Sequence, residues 1–469
     1  MPLSYKLHNR LNKRPLASES RCSFYPRLAR CRLWLASTMA MAARRLLSFH
    51  LRPPAYPLAA ISAPHRRKHE AVACRAAGGK SKARAKAKDG KRQQGRALEE
   101  HLKRRTRSGA AFDSDLYRRH LHAQHVPVML GEVLAAFRRP LPLRSFVDCT
   151  LGAAGHSLAM MEAHPEMELY IGMDVDPSAL EIGQNHIEAF LASRAANGGD
   201  DQDTSQGALR AYTHVKNFKY IKHVLGGVDE DLIVGSSGVD GILIDLGMSS
   251  MQVNRSDRGF SVLQDGPLDM RMDPKATLKA EDILNSWPEL EVGRILRDYG
   301  EESNWQSLQK RIVKARAMGG LHSTAELVKL IQRMCTSSGG RQGWIKTATR
   351  VFQALRIAVN DELRTLEDAV HACFDCLAKD GRLAVISFHS LEDRIVKQTF
   401  LELVHGDEEE DDDDLVSADI DNEDEPWFKQ KVHGKKGTIL TKRPISPSQE
   451  EEKLNQRCRS AKLRVIQKA

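Results

Sequence analysis

The stretch "FVDCTLGAAGHS", residues 146–157, decides how the rest of the chain is read. A short apolar run ends on Asp148, and small residues follow at once: Gly152, Ala153, Ala154 and Gly155. Phe146 and Val147 read as the end of a buried strand. Gly152 and Gly155 permit a tight turn and let backbone come close to a ligand. His156 and Ser157, followed by "LAMMEAH", read as a helix start. Strand, glycine turn and helix N-terminus together leave free N–H groups where a ligand can meet them. The spacing Gly-x-Gly-x-x-Gly is absent, which argues against a nicotinamide cofactor. A glycine turn alone more often serves folding than binding, so the neighbouring segments decide.

From His125 onward strands and helices alternate. "SFVDCT" reads as a strand and "SLAMMEAH" as a helix. "ELYIGMDVD" is the next strand, then the helix "PSALEIGQNHIEAFLAS" and the polar loop "ANGGDDQDTSQG". "RAYTHV", "VDGILIDLG" and "GRLAVISFHS" supply three more strands. The second of these is almost wholly apolar, as a strand covered on both faces should be. The fold class is therefore α/β: a doubly wound, Rossmann-like parallel sheet with helices on both sides. Ligands bind such sheets at the carboxyl ends of the strands. Those ends carry Asp148 with the glycine turn, Asp174, Asp245 and His389. Asp174 follows Gly152 by 22 residues, the spacing at which an acid accepts hydrogen bonds from ribose hydroxyls. Asp176, before Pro177, suits the cap of the next helix. That leaves Asp174 for a nucleoside-containing ligand.

Between Asp245 and Gly381 lie about 135 residues, too many for one crossover helix. "EVGRILRDYG", "WQSLQKRIVKARAM" and "TAELVKLIQRMC" have helical spacing of apolar residues. The expected organisation is a core over 119–273, an inserted helical subdomain over 274–343 and a second core part over 344–469. The insertion belongs above the strand ends, where a lid or substrate-binding element acts. The loop 248–273 holds Arg255, Arg258 and Arg271 beside four aspartates. Its arginines suit phosphate and Phe260 suits stacking on a base. A solvated loop held by internal ion pairs explains the pattern equally well.

The formal net charge of +10 hides a division. Residues 1–110 contain 27 Lys and Arg against five Asp and Glu, and residues 407–425 contain 13 acids and no Lys or Arg. Overall charge therefore says little about nucleic-acid binding by the folded part. Residues 1–75, rich in Arg, Ser, Ala and Pro, have the composition of a transit peptide, with translation starting at Met1, Met39 or Met41. "AVACRAA" favours the chloroplast stroma over the mitochondrial matrix. Residues 76–118 read as a basic disordered linker and 405–428 as a disordered acidic loop. Cys373 and Cys376 lie in a helical pattern without a second pair, which favours helix packing over zinc. No apolar run is long enough to cross a bilayer. The C-terminal "HGKKGTILTKRPISPS" and "RCRSAKLRV" read as closing strands whose Lys435, Lys436, Lys442, Arg443, Arg457, Arg459 and Arg464 could meet phosphate.

The segments "HVPVMLGEVL", "TLGAAGHS", "IGMDVDP", "DGILIDLGMSS", "RGFS", "DGPLDMRMD", "TRVFQALRIAVNDEL", "ISFHSLEDRIVK" and "RSAKLRV" occur in that order. Over about His125 to Val465 the chain resembles the MraW/RsmH family of ribosomal small-subunit RNA (cytosine-N4)-methyltransferases. The resemblance implies S-adenosylmethionine as cofactor and small-subunit rRNA, or the assembling subunit, as partner. It implies donor contacts at Gly152, Ala154, Gly155, His156, Asp174, Phe218, Asp245 and Gln252. Phe218 and Gln252 rest on the resemblance alone. RNA contacts are expected at Arg258, Phe260, Arg271 and Arg394. The family usually has Gly-Gly-His where Ala154-Gly155-His156 stands here, which is tolerable only if position 154 keeps negative φ. The sequence leaves the oligomeric state open, a homodimer included.

The acceptor amine of cytosine shares its lone pair with the ring. A carboxylate accepting its N–H returns density to nitrogen and can take the proton, worth about 10²–10⁴-fold. Asp245 is the first candidate for that role and His389 the second. No metal is needed. The target base must leave any stack. Two rival readings share the fold: a nicotinamide oxidoreductase, and a non-catalytic assembly factor with a vestigial donor pocket.

Overall fold

The computed structural model describes residues 106–109, 112–120, 126–197, 209–227, 238–335, 340–405 and 431–469. All of them belong to one compact unit, Ser81–Ala469. The expected transit peptide, the polar loop at 198–208 and nearly all of the acidic loop lie outside the described residues.

Among the described residues ten strands form one sheet: β1 Thr106–Arg107, β2 Ser145–Asp148, β3 Leu169–Asp174, β4 Arg210–Val215, β5 Val239–Asp245, β6 Leu377–Ser387, β7 Val432–His433, β8 Gly437–Ile439, β9 Ile445–Ser446 and β10 Lys462–Lys468. The order is β4-β3-β2-β5-β6-β10-β9-β1, with β8 pairing to β10 and β7. From β4 to β6 every pairing is parallel. The chain reverses its direction of travel between β2 and β5, so a crevice opens there at the carboxyl edge. β10 departs from the expected parallel sheet and runs antiparallel to β6, with Lys462 opposite Ser387. The cause is the segment before it, which reaches the carboxyl edge with Asn455 and Arg457. The last strand therefore starts at that edge.

Successive residues of the central strands point to opposite faces. Phe146, Tyr170, Leu243, Ala384 and Ile386 pack with Val133, Phe137 and Met160 on one side. Val147, Ile171, Ile242, Ile244 and Val385 pack on the other with Leu366, Val370 and Phe374 of the helix Glu362–Cys376. Each fully buried Leu, Ile or Val contributes about 1.5–3 kcal/mol, which is why this double-faced burial fixes the sheet. Cys373 of the same helix is buried against the thiol of Cys149.

The helices Ala280–Ser286, Glu289–Asp298, Trp305–Arg316, Thr324–Cys335 and Gly340–Asn360 have a core of their own. It takes in Leu284, Ile295, Leu308, Ile331, Val351 and Leu355, and also Phe260, Leu268, Met270 and Val359. The helical unit thus reaches over 260–359, beyond the expected 274–343 on both sides. The apolar stripe of Gly340–Asn360 faces the other helices, and the loop before 274 is drawn in by its apolar residues. The chain returns to the sheet through two helices, Gly340–Asn360 and Glu362–Cys376, separated at Asp361, whose φ is 49°. The basic linker also ends earlier than expected. Thr106–Arg107 pairs with Ile445–Ser446, and Asp113 caps the helix Ser114–Arg119.

Candidate active site

A cavity of about 580 Å³ opens at the carboxyl edge of β2, β3 and β5. Gly152, Gly155, His156, Asp174, Phe218, Asp245 and Gln252 all line it. The turn after β2 is held from below. Asp148 is buried, accepting from Ser157 Oγ at 2.6 Å and from Thr150 N at 3.0 Å. Gly152 takes φ of 51°, a left-handed value that glycine adopts freely. Its N–H donates to Asp174 Oδ2 at 2.9 Å, tying the turn to the end of β3. The helix Pro177–Asn197 braces the turn from outside. A Cβ on Gly183 would meet Gly152 O at 2.7 Å, so only glycine lets the helix approach so closely. Nothing in the linear pattern marks Gly183 for that role.

Ala154 has φ of 64° and is fully buried, so it carries the left-handed conformation without glycine's freedom. The condition under which alanine would be tolerable there is not met, and the turn is strained by roughly 1–2 kcal/mol. Ala154 does not line the cavity; its methyl packs into the core beneath.

The carboxylates differ by environment. Asp174 accepts from Asp176 N and Gly152 N, yet burial lifts its pKa to about 6. Asp245 is pushed well above the ordinary carboxylate range, first by burial and then by the charges of Asp148 and Glu392. Its Oδ1 is buried with no hydrogen-bond partner among the described residues. Its Oδ2 lies 3.9 Å from His156 Nδ1. His156 Nε2 donates to Val128 O at 2.8 Å. Burial lowers the His156 pKa to about 4, so the ring is neutral and presents a bare Nδ1 to Asp245. An orphaned acceptor at the end of β5 is what a site for a nucleoside amine or a donor's ammonium group requires.

Asp176 caps the next helix through Ser178 N at 3.1 Å. It also accepts from Gln252 Nε2 at 3.1 Å and from Arg258 Nη1 at 2.6 Å. Arg258 further donates to Arg271 O and Met272 O. Arg271 forms paired bonds with Asp269 at 2.8 and 2.7 Å. Phe260 is 4% exposed inside the helical core. These three residues therefore do not present themselves to RNA as expected, because internal partners use their donors and the ring face. Arg464, another expected phosphate contact, is buried and bound to Asp393 at 2.7 Å. Arg394 stays exposed and lies 3.6 Å from Glu301.

His389 does not line the cavity. Its Nδ1 accepts from Glu392 N, and its Nε2 lies 2.9 Å from Glu392 Oε1. Glu392 in turn accepts from Phe388 N and His389 N. The pair is a reciprocal cap on the helix Ser390–His405. In this structure His389 serves as a helix cap outside the cavity lining. Glu362, close by, is held by Arg356 through two bonds of 2.9 and 2.8 Å. The guanidinium supplies the positive charge that this acidic group requires. Lys216, Lys219, Tyr220 and Lys275 line the cavity and were not singled out from the sequence. Exposed lysines carry no periodic signal, and the turn that exposes Tyr220 is set by Asn217 capping Lys219 N.

The MraW methylase family model matches residues 122–469. A protein of Heliobacterium modesticaldum named ribosomal RNA small subunit methyltransferase H is 42% identical over 347 residues, covering 73% of this chain and 98% of its own length. One of the same name from Protochlamydia amoebophila is 40% identical over 344 residues, covering 73% and 97%. A solved methyltransferase homologue from Pyrococcus horikoshii covers 77% of this chain and 73% of its own at 10% identity, with a TM-score of 0.30.

Proposed function

The chain belongs to the MraW methylase family, and from that premise we propose that it methylates the exocyclic N4 of a cytidine in small-subunit ribosomal RNA inside the chloroplast stroma. Its methyl donor is S-adenosylmethionine, which when bound supplies an electrophilic methyl group on a sulfonium. Asp174 would hold the ribose hydroxyls, the turn at Gly152 and Gly155 would admit the donor against backbone, and Phe218 would flank its base. Alignment of two reactants in one cavity supplies on the order of 7–11 kcal/mol.

The observation that carries the N4 reading is Asp245. Its Oδ1 is a buried acceptor without a partner among the described residues. An aromatic amine has N–H groups to give it. Accepting one of them localises the lone pair on nitrogen, and the carboxylate receives the proton after transfer. His156, neutral and fixed through Nε2, holds its bare Nδ1 toward the same carboxylate. The relatives' name supports ribosomal RNA as the substrate. The basic, acid-poor residues 1–75 support import into a plastid.

The test is methyl transfer to isolated small-subunit RNA and to assembled subunits, with mass mapping of the product nucleoside. N4-methylcytidine is expected, and Asp245→Ala should lower kcat by about 10²–10⁴-fold with donor still bound. Methylation at ring carbon or at a ribose hydroxyl would overturn the N4 assignment. A full-chain fluorescent fusion should enter plastids; accumulation in mitochondria alone would overturn the compartment.

A further inference from the structure

Three of the arginines that the sequence offers to RNA are bound inside the protein. Arg258 is bound to Asp176, Arg271 to Asp269 and Arg464 to Asp393. A different set of cations surrounds the cavity. Lys216 and Lys219 follow β4, Lys275 comes from the loop before the helix Ala280–Ser286, and Arg457 comes from the short turn before β10. Lys216, Lys275 and Arg457 are exposed. Among the described residues none of these four lies within ion-pair distance of a carboxylate, although Lys219 acts electrostatically on Asp361 in the cavity wall; Arg457 donates to the neutral Asn254 Oδ1, at 3.2 Å. S-adenosylmethionine has no phosphate and a single carboxylate, so four cations exceed what the donor can engage. Beside them stands Tyr220, 50% exposed, with Lys219 Nζ 5.3 Å from its ring centroid. Lys219 lies over the ring, and the half-exposed remainder is a stacking surface beside the cavity.

We propose that Lys216, Lys219, Lys275 and Arg457 hold the phosphates on either side of a splayed nucleotide, while Tyr220 stacks on an adjacent base. The rim is a clamp for single-stranded RNA. The cations supply sequence-independent attraction and the ring supplies a π-face that any base can use. The clamp depends on the reading that the acceptor is RNA, and its residues lie outside those given to the donor.

The experiment measures two affinities on the full chain: S-adenosylmethionine, and a short unstructured RNA oligonucleotide containing one cytidine. Tyr220→Ala should weaken RNA binding about tenfold and leave donor affinity within about twofold, while Tyr220→Phe keeps both. The combined variant Lys216→Gln, Lys275→Gln, Arg457→Gln should lower the slope of log K against log salt by about two, at roughly 0.7 per phosphate contact. Unchanged RNA affinity and salt slope in both variants would overturn the clamp. So would an equal loss of donor affinity in Tyr220→Ala, since the ring would then belong to the donor's adenine. If the parent binds RNA with these dependences but transfers no methyl group, the clamp stands and the catalytic reading falls. If it methylates RNA and the variants behave as the parent does, the reverse holds.

Discussion

Arg258 Nη1 lies 2.6 Å from Asp176 Oδ2, and the two side chains are 11% and 2% exposed. Asp176 belongs to the turn after β3, two residues beyond Asp174. Arg258 belongs to the loop that leads into the helical unit. One buried ion pair therefore joins the turn after β3 to the loop that leads into the helical unit, and Gln252 strengthens the joint by donating to the same carboxylate oxygen.

Removing one partner of a buried pair leaves an uncompensated charge and costs about 3–5 kcal/mol. Arg258→Ala should cost somewhat less, about 2–4 kcal/mol, because Gln252 and Ser178 N still serve Asp176. Donor affinity should fall with it, since the turn that holds Asp174 loses its brace. Denaturant unfolding and calorimetric titration check both. A variant with parental donor affinity would show that the joint does not reach the site.

Asp174 and His156 titrate with opposite sign over nearly the same range. The folded pKa of Asp174 is raised to about 6, so the unfolded chain releases this proton first. Stability falls as pH rises from about 4 to 6 and is flat above. The folded pKa of His156 is lowered to about 4, so its contribution is complete above about 6.5 and is lost on acidification toward 4. In Asp174→Asn only the first slope disappears. The stability difference between variant and parent should rise by at most about 1.4 kcal/mol per pH unit between 4 and 6, then level off. Equilibrium unfolding across that range gives the difference directly. A pH-independent difference would mean that Asp174 is not held protonated.

The same group should set the pH dependence of donor binding. A protonated Asp174 has lost acceptor capacity for ribose hydroxyls. In the parent, S-adenosylmethionine affinity should drop up to tenfold per unit below about pH 6 and stay constant above it. Titration at stepped pH measures this, with Asp174→Asn weak throughout.

Ala154 occupies a left-handed conformation with its methyl group buried. Ala154→Gly relieves the strain but gives up apolar contact and adds freedom to the unfolded chain, so it should change stability by less than about 1 kcal/mol. Ala154→Val adds β-branching where φ is positive and volume where none is free. It should cost more than about 3 kcal/mol. Thermal unfolding of the two variants separates strain from packing; a tolerated valine would mean the turn can rearrange.

Phe260→Ala should destabilise the helical core by about 3–5 kcal/mol, because the ring is buried with Leu268 and Met270. Its effect on RNA affinity should be small next to that of Tyr220→Ala. Loss of RNA affinity in a folded Phe260→Ala would return the stacking role to that ring.

Much of the sheet was legible because a strand covered on both faces must be apolar throughout. "RAYTHV" became β4 with the expected bounds, and β5 began at Val239 as expected but ended at Asp245, two residues short of "VDGILIDLG". The glycine turn and the acids at the strand ends were legible because bending backbone and charge at a strand end leave local marks. The direction of β10 was not, since an apolar alternation reads the same in either direction.

The sequence by itself determined the α/β sheet, the glycine turn and acids at the carboxyl edge, and the family. Each rests on local pattern or on motifs that survive as strings. Only the tertiary structure decided which charges are available. Arg258, Arg271 and Lys275 look alike in a string, but two are bound within the fold and one faces the cavity rim. It likewise made His389 a cap through Glu392, buried Phe260 and left Tyr220 open. An ion pair or a covered ring is a relation between distant residues. Folding brings those residues together, and no local stretch of chain records it.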